Sequence, residues 1–111
     1  MKNKEKDNAM NKKKLGINDC IEECHHIAKV KGWWEKERNE GELIALMHSE
    51  LSEALEAMRN HGAKDEVAEE LADCCIRIFD YCGAREIDLE KTLRKKIEYN
   101  KMRPYRHGKK F

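Results

Sequence analysis

The sequence contains one proline, and aromatic residues make up only 6% of it. Sheet domains draw on β-branched and aromatic runs separated by turn residues, so this profile argues for helices instead. No uncharged run approaches the ~18 residues that a membrane helix needs. The Lys-rich start has no apolar stretch of the secretory kind, so we expect a cytoplasmic protein without membrane association. The five cysteines form no Cys-x-x-Cys pair. Most fall at apolar helical positions, which suits reduced, packed thiols better than a disulfide framework or a zinc site. Cys20 and Cys24, beside His25 and His26, come nearest to a soft-metal set, but no second pair accompanies them.

A large net charge is also missing: the sum is +1, although 41% of the residues are charged. The charges are sorted along the chain. Residues 1–14 hold six Lys against two acids, and residues 94–111 hold eight Lys or Arg against one Glu. The stretch between them carries nineteen acidic and nine basic residues. A nucleic-acid binder more often carries a basic face through its folded body, so stable nucleic-acid binding is not expected. An acidic body with basic ends can gather divalent cations and anionic phosphates together.

A chain of 111 residues is one domain with a modest core, which association with other copies would help. We divide it into a flexible basic tail at 1–14, a helical domain at 15–107 and a short flexible tail at 108–111. Ile17, Cys20, Ile21, Cys24, Ile27 and Ala28 mark one face of a first helix, with a staple and cap expected at Ile17–Asp19 and a stop at Gly32. A second helix is predicted from about Glu42 to Asn60, with Leu43, Ile44, Met47, Leu51, Leu55 and Met58 as its apolar face. Asn60 and Gly62 supply the stop. A third runs from Lys64 to about Gly83 on Val67, Leu71, Cys74, Cys75, Ile78 and Cys82. A fourth opens at Ile87-Asp88, carries Leu89, Leu93 and Ile97, and must end before Pro104. The fold class is all-α: a four-helix, bundle-like domain with antiparallel neighbours, completed by oligomerisation.

Two phrases nearly repeat, "ELSEA" and "ELADC". At 100° per residue, Glu50 lies about −100° and Glu53 about −160° from Leu51. Glu70 and Asp73 stand in the same relation to Leu71. With Leu51 and Leu71 as the centres of the buried faces, both helices offer a carboxylate pair on the same shoulder. The short connection brings the pairs together. Two anions 4 Å apart repel by roughly 4 kcal/mol at an effective dielectric of 20, which a proton or a cation must relieve. Oxygen ligands without His or Cys suit Mg²⁺, with Mn²⁺ as a substitute. Di-iron bundles use Glu-x-x-His on two helices, whereas these two helices carry Glu-x-x-Glu and Glu-x-x-Asp. Glu56, Glu66 and Glu69 read as ordinary solvated charge. Further on, Lys96, Asn100 and Arg103 fall on one side of the fourth helix if it continues that far, a set suited to phosphate oxygens.

Glu50-x-x-Glu53, followed after 16 residues by Glu70-x-x-Asp73, resembles the signature of the MazG-like, all-α nucleoside triphosphate pyrophosphohydrolases. Lys96-x-x-x-Asn100-x-x-Arg103 with Pro104-Tyr105 is similar to the tail of that superfamily's small members, and "GWW…ER" resembles their segment ahead of the motif. The resemblance spans roughly residues 17–107. It implies a MazG-type fold, a homodimer or homotetramer, and Mg²⁺-dependent hydrolysis of a nucleoside triphosphate to the monophosphate and pyrophosphate. Under it, Glu50, Glu53, Glu70 and Asp73 are metal ligands, and Lys96, Asn100, Arg103 and Tyr105 hold the triphosphate. Glu53 is our choice for the general base. Core packing is expected for at least one of the two tryptophans, and Trp34 is our choice for the base contact; His25 and His48 are candidates to line the pocket. The alternative is a non-enzymatic helical oligomerisation module with solvated acidic faces and a basic segment for a partner.

Overall fold

The computed structural model describes residues 16–111; the basic tail expected at 1–14 lies outside them. Four helices follow one another: α1 Ile17–Val30, α2 Glu40–Arg59, α3 Lys64–Ala84 and α4 Leu89–Lys101. A short 3₁₀ turn at Tyr105–Gly108 follows Pro104. No strand occurs among the described residues, and no helix there is long and apolar enough to cross a membrane.

The helix ends obey local chemistry. Gly32 terminates α1 at φ 90°, with its N–H on Lys29 O and the Trp33 N–H on Ala28 O. This is the paired bonding that a left-handed residue makes at a helix C-terminus. α2 starts at an Asn39 cap, whose side chain accepts from the Glu42 N–H at 3.1 Å. At its other end the left-handed position is filled by His61 (φ 56°), between the expected Asn60 and Gly62. Gly62 serves closeness instead: a Cβ there would sit 2.6 Å from Ala57 O, to which its own N–H bonds at 2.7 Å.

α3 is the hub, with α2 along one side and α1 along another. Its register against α2 is antiparallel. Glu40 meets Tyr81 and Arg85, Met47 O meets the Cys74 thiol, and Glu50 meets Arg77. α1 presses on α3 at Gly83, where a Cβ would lie 2.5 Å from the Cβ of His25. α4 packs against α1, at its own start. There the two helix N-termini cap each other. Glu90 Oε1 accepts from the Ile17 N–H at 2.9 Å, and Asn18 Oδ1 accepts from the Glu90 N–H at 3.3 Å. Asp88 takes both the Lys91 N–H and the Asn18 amide. The cap expected within Ile17–Asp19 therefore comes from Glu90, and Gly16 holds the N-cap position without a side-chain bond. Orphan amides and the positive end of the helix dipole favour that carboxylate. Beyond Glu90 every residue of α4 is exposed.

The buried apolar residues are few: Ile21, Leu43, Ala54, Cys74 and Cys82. All five cysteines are free. Leu51 and Leu71, the centres expected for the two buried faces, are instead 49% and 45% exposed. The face that α2 turns towards α3 runs through Leu43, Glu50 and Ala54, rotated by about 80° from Leu51 on the helical wheel. Small Ala54 and Cys74 let the helices approach closely, and α3 can cover only one side of α2. Leu51, Leu55 and Met58 remain outside as an apolar stripe.

Candidate metal centre and adjoining cavity

The antiparallel register carries Glu50 and Glu53 of α2 to the level of Glu70 on α3. Carboxylate oxygens of these three residues lie within 4.8 Å of one another. They differ in environment: Glu50 is buried, Glu70 half-buried and Glu53 exposed. Asp73, the fourth expected ligand, is exposed one turn beyond Glu70, near enough for its charge to act on the Glu70 carboxyl.

Glu50 is the unusual member, 6% exposed in a small core. Its Oε1 accepts from Arg77 Nε at 2.7 Å. Its Oε2 is buried and makes no hydrogen bond, as does Glu70 Oε2. Buried carboxylate oxygens ordinarily find a donor, so two orphans on residues of one cluster are a specific departure. The Glu70 carboxyl is pushed up to about 7 by a hydrogen bond shared with Glu53, by burial, and by the charges of Glu53, Asp73 and Glu50. With both groups ionised neither can donate, so that bond exists only when a proton sits between them. The site thus presents what a cation would meet: hard oxygens held close and short of positive charge.

Glu50 and Asp73 also border a cavity of about 280 Å³ between α1 and α3. Cys24, Ile27, Ala28 and Ile76 give it apolar surface, and Trp33, Arg38, Arg77 and Asp80 give it aromatic and charged walls. Trp34 does not line it. The Trp34 indole donates to Asp80 Oδ1 at 2.9 Å, and its ring stands edge-on to His25 with centroids 5.5 Å apart. His25 Nδ1 donates to the same oxygen at 2.8 Å. The adjacent Trp33 is 64% exposed on the cavity wall, with the Arg38 guanidinium 5.8 Å from its ring. Trp33, and not the expected Trp34, is the tryptophan on the cavity wall. His48 is exposed on α2 and does not line this cavity.

Lys96, Asn100, Arg103 and Tyr105 are not brought to the acidic cluster of their own chain. α4 ends at Lys101, before Arg103. The Lys96 ammonium and the Arg103 guanidinium lie 4.9 and 5.7 Å from the Tyr99 ring. Tyr105 is 90% exposed. Arg77, by contrast, is a site residue that the sequence reading misses, although Glu70, Asp73 and Arg77 stand at i, i+3 and i+7 on one helix face. Arg38 and Asp80 reach the cavity through tertiary packing, which no local spacing announces. No family model, curated protein or solved structure matches this chain.

Proposed function

We propose that this chain is a Mg²⁺-dependent hydrolase of MazG type. It converts a (deoxy)nucleoside triphosphate to the monophosphate and pyrophosphate, as a cytoplasmic control on the nucleotide pool. The observation that carries this reading is the acidic cluster, in which two buried carboxylate oxygens, on Glu50 and Glu70, have no partner. The donor set is all carboxylate oxygen, which fits Mg²⁺ or Mn²⁺. Glu50, Glu53 and Glu70 would hold the cation, with Asp73 alongside. When bound, the cation supplies neutralisation of phosphate oxygens and activation of water.

The chain's own groups then have distinct tasks. Arg77 holds Glu50 in place through its Nε. Glu53, exposed at the edge of the cluster, can take a proton from an attacking water. The cavity beyond Glu50 and Asp73 excludes water around the nucleoside, with Trp33 as a flat wall. Lys96, Asn100, Arg103 and Tyr105 serve as phosphate ligands for a second copy, carried on an α4 whose residues beyond Glu90 are exposed. The exposed stripe of Leu51, Leu55 and Met58 provides the apolar contact for such a homodimer or homotetramer.

The test is a panel of NTPs and dNTPs with Mg²⁺, the products being separated by chromatography. Monophosphate and pyrophosphate are expected. Diphosphate and phosphate would point to a different phosphohydrolase. No turnover, combined with no Mn²⁺ binding by the four carboxylates, would leave the oligomerisation module.

A further inference from the structure

We infer that Arg38, on the segment between α1 and α2, grips the phosphate that adjoins the nucleoside, so that the chain supplies one phosphate contact to its own site. The inference rests on the pyrophosphohydrolase reading, which lays a nucleotide across the cavity and the acidic cluster. Three cationic residues, Lys31, Arg38 and Arg77, and three carboxylates, Glu50, Asp73 and Asp80, line that cavity. Most of these charges are already answered. Arg77 donates to Glu50. Asp80 accepts from His25 and Trp34. Asp73 belongs with the acidic cluster, where its charge acts on Glu70. Lys31 and Arg38 enter none of the ion pairs among the described residues. Lys31 is exposed to water, whereas Arg38 is half-buried.

Two indoles hold the Arg38 guanidinium in place. Its central carbon lies 5.1 Å from the centroid of the Trp34 ring and 5.8 Å from that of Trp33. Trp34 is in turn anchored by its N–H on Asp80. An aromatic face attracts a cation through its charge and uses none of its N–H donors. The guanidinium hydrogen bonds among the described residues belong to Arg77, Arg85 and Arg106. A half-buried guanidinium with its donors unspent suits an anion, and its planar fork matches two oxygens of one phosphate. Position says which phosphate. Arg38 stands beside Trp33, the wall assigned to the nucleoside, while Glu50 and Asp73 stand at the acidic cluster. The α-phosphate is joined directly to the nucleoside, so it is the one within reach of a group fixed beside Trp33. It also stays with the nucleoside when pyrophosphate leaves, so the contact should persist in the monophosphate product.

The experiment compares each 5′-monophosphate with its own nucleoside, by tryptophan fluorescence in magnesium-free buffer. The probes are adenosine, guanosine, cytidine, uridine and thymidine and their monophosphates. The chain's two tryptophans are the two beside Arg38, so binding there changes their emission. The quantity read is the ratio of nucleoside Kd to monophosphate Kd for the base that binds best. Arg38→Gln should lower this ratio about tenfold or more, as loss of a hydrogen bond to a charged group implies. Arg38→Lys keeps the charge without the fork and should fall between. If Arg38 only packed the tryptophans, its loss would weaken nucleoside and monophosphate alike and leave the ratio unchanged. An unchanged ratio overturns the inference, as does a wild-type protein that binds no monophosphate more tightly than its nucleoside. With Mg²⁺ and triphosphates, kcat/KM for pyrophosphate release should fall about tenfold or more in Arg38→Gln. Turnover with an unchanged kcat/KM in that variant sinks only the Arg38 assignment. An Arg38-dependent ratio without turnover of any triphosphate sinks only the hydrolase reading.

Discussion

Binding of a divalent cation to the acidic cluster should expel a proton, and the amount expelled should fall as pH rises through 7. The Glu70 carboxyl is pushed up to about 7, first by the hydrogen bond shared with Glu53 and then by burial and by neighbouring carboxylates. That proton belongs to the Glu53–Glu70 pair, whose oxygens lie within 4.8 Å of each other. The sign follows from the direction of the shift. Between the ordinary carboxyl value of 4.5 and about 7, the folded protein holds a proton that the unfolded chain has lost. Stability of the cation-free protein therefore falls as pH rises through that window. A cation takes the proton's place and lifts the repulsion. For a group titrating at about 7, about nine-tenths of the molecules carry the proton at pH 6 and about one-tenth at pH 8. Calorimetric titration of Mn²⁺ in buffers of different ionisation heat should thus report about 0.9 proton released at pH 6 and about 0.1 at pH 8. The apparent affinity should rise about tenfold over the same range. Glu70→Gln removes the titrating group, so release should vanish and the affinity should become flat between pH 6 and 8. Equal release at both pH values, or release surviving in Glu70→Gln, would refute the reasoning.

Glu53→Gln and Asp73→Asn, both at exposed positions, should leave the circular dichroism spectrum and melting unchanged. Each should lower Mg²⁺-dependent pyrophosphate release roughly a hundredfold or more; full turnover by either folded variant would remove that residue from the site. Arg77→Ala leaves the buried Glu50 without its counter-charge. Because the Arg77 side chain is 38% exposed, the cost should be about 2 kcal/mol, between the values for surface and buried pairs. That corresponds to about 10 °C in Tm for a domain of this size, partly restored by Mn²⁺, and an unshifted melt would show that the pair is not holding Glu50. Leu51→Lys with Leu55→Lys should yield a monomer in sedimentation velocity at concentrations where the wild type self-associates. A variant still associated like the wild type would place the interface elsewhere.

How far the sequence carries this argument depends on whether the deciding partner is near or far along the chain. The helices were legible from period and punctuation, because Gly32, Asp88 and Pro104 act on neighbouring residues; the Asn39 cap that starts α2 at Glu40 rather than Glu42 was missed. The meeting of Glu50, Glu53 and Glu70 was legible too, since a short connection between two long helices leaves little choice of register. The rotation of those helices was not legible. A helical wheel finds the widest apolar stripe, and on α2 that stripe is Leu51, Leu55 and Met58, which α3 does not cover. The contact forms instead where Ala54 and Cys74 are small, and it carries Glu50 inside with them. A wheel scores a Glu on that face as an error, because the compensating guanidinium belongs to Arg77 on the next helix. The tryptophans fail for the same reason: Trp33 and Trp34 are adjacent, and Asp80, which holds Trp34 and leaves Trp33 to the cavity, lies 46 residues away. The buried Glu50 is therefore the most informative departure from local rules. A small protein whose core holds few apolar side chains has buried a carboxylate with one oxygen tied to arginine and the other unpartnered. Stability alone would favour an apolar residue there. Its placement makes sense if the free oxygen is kept for a cation.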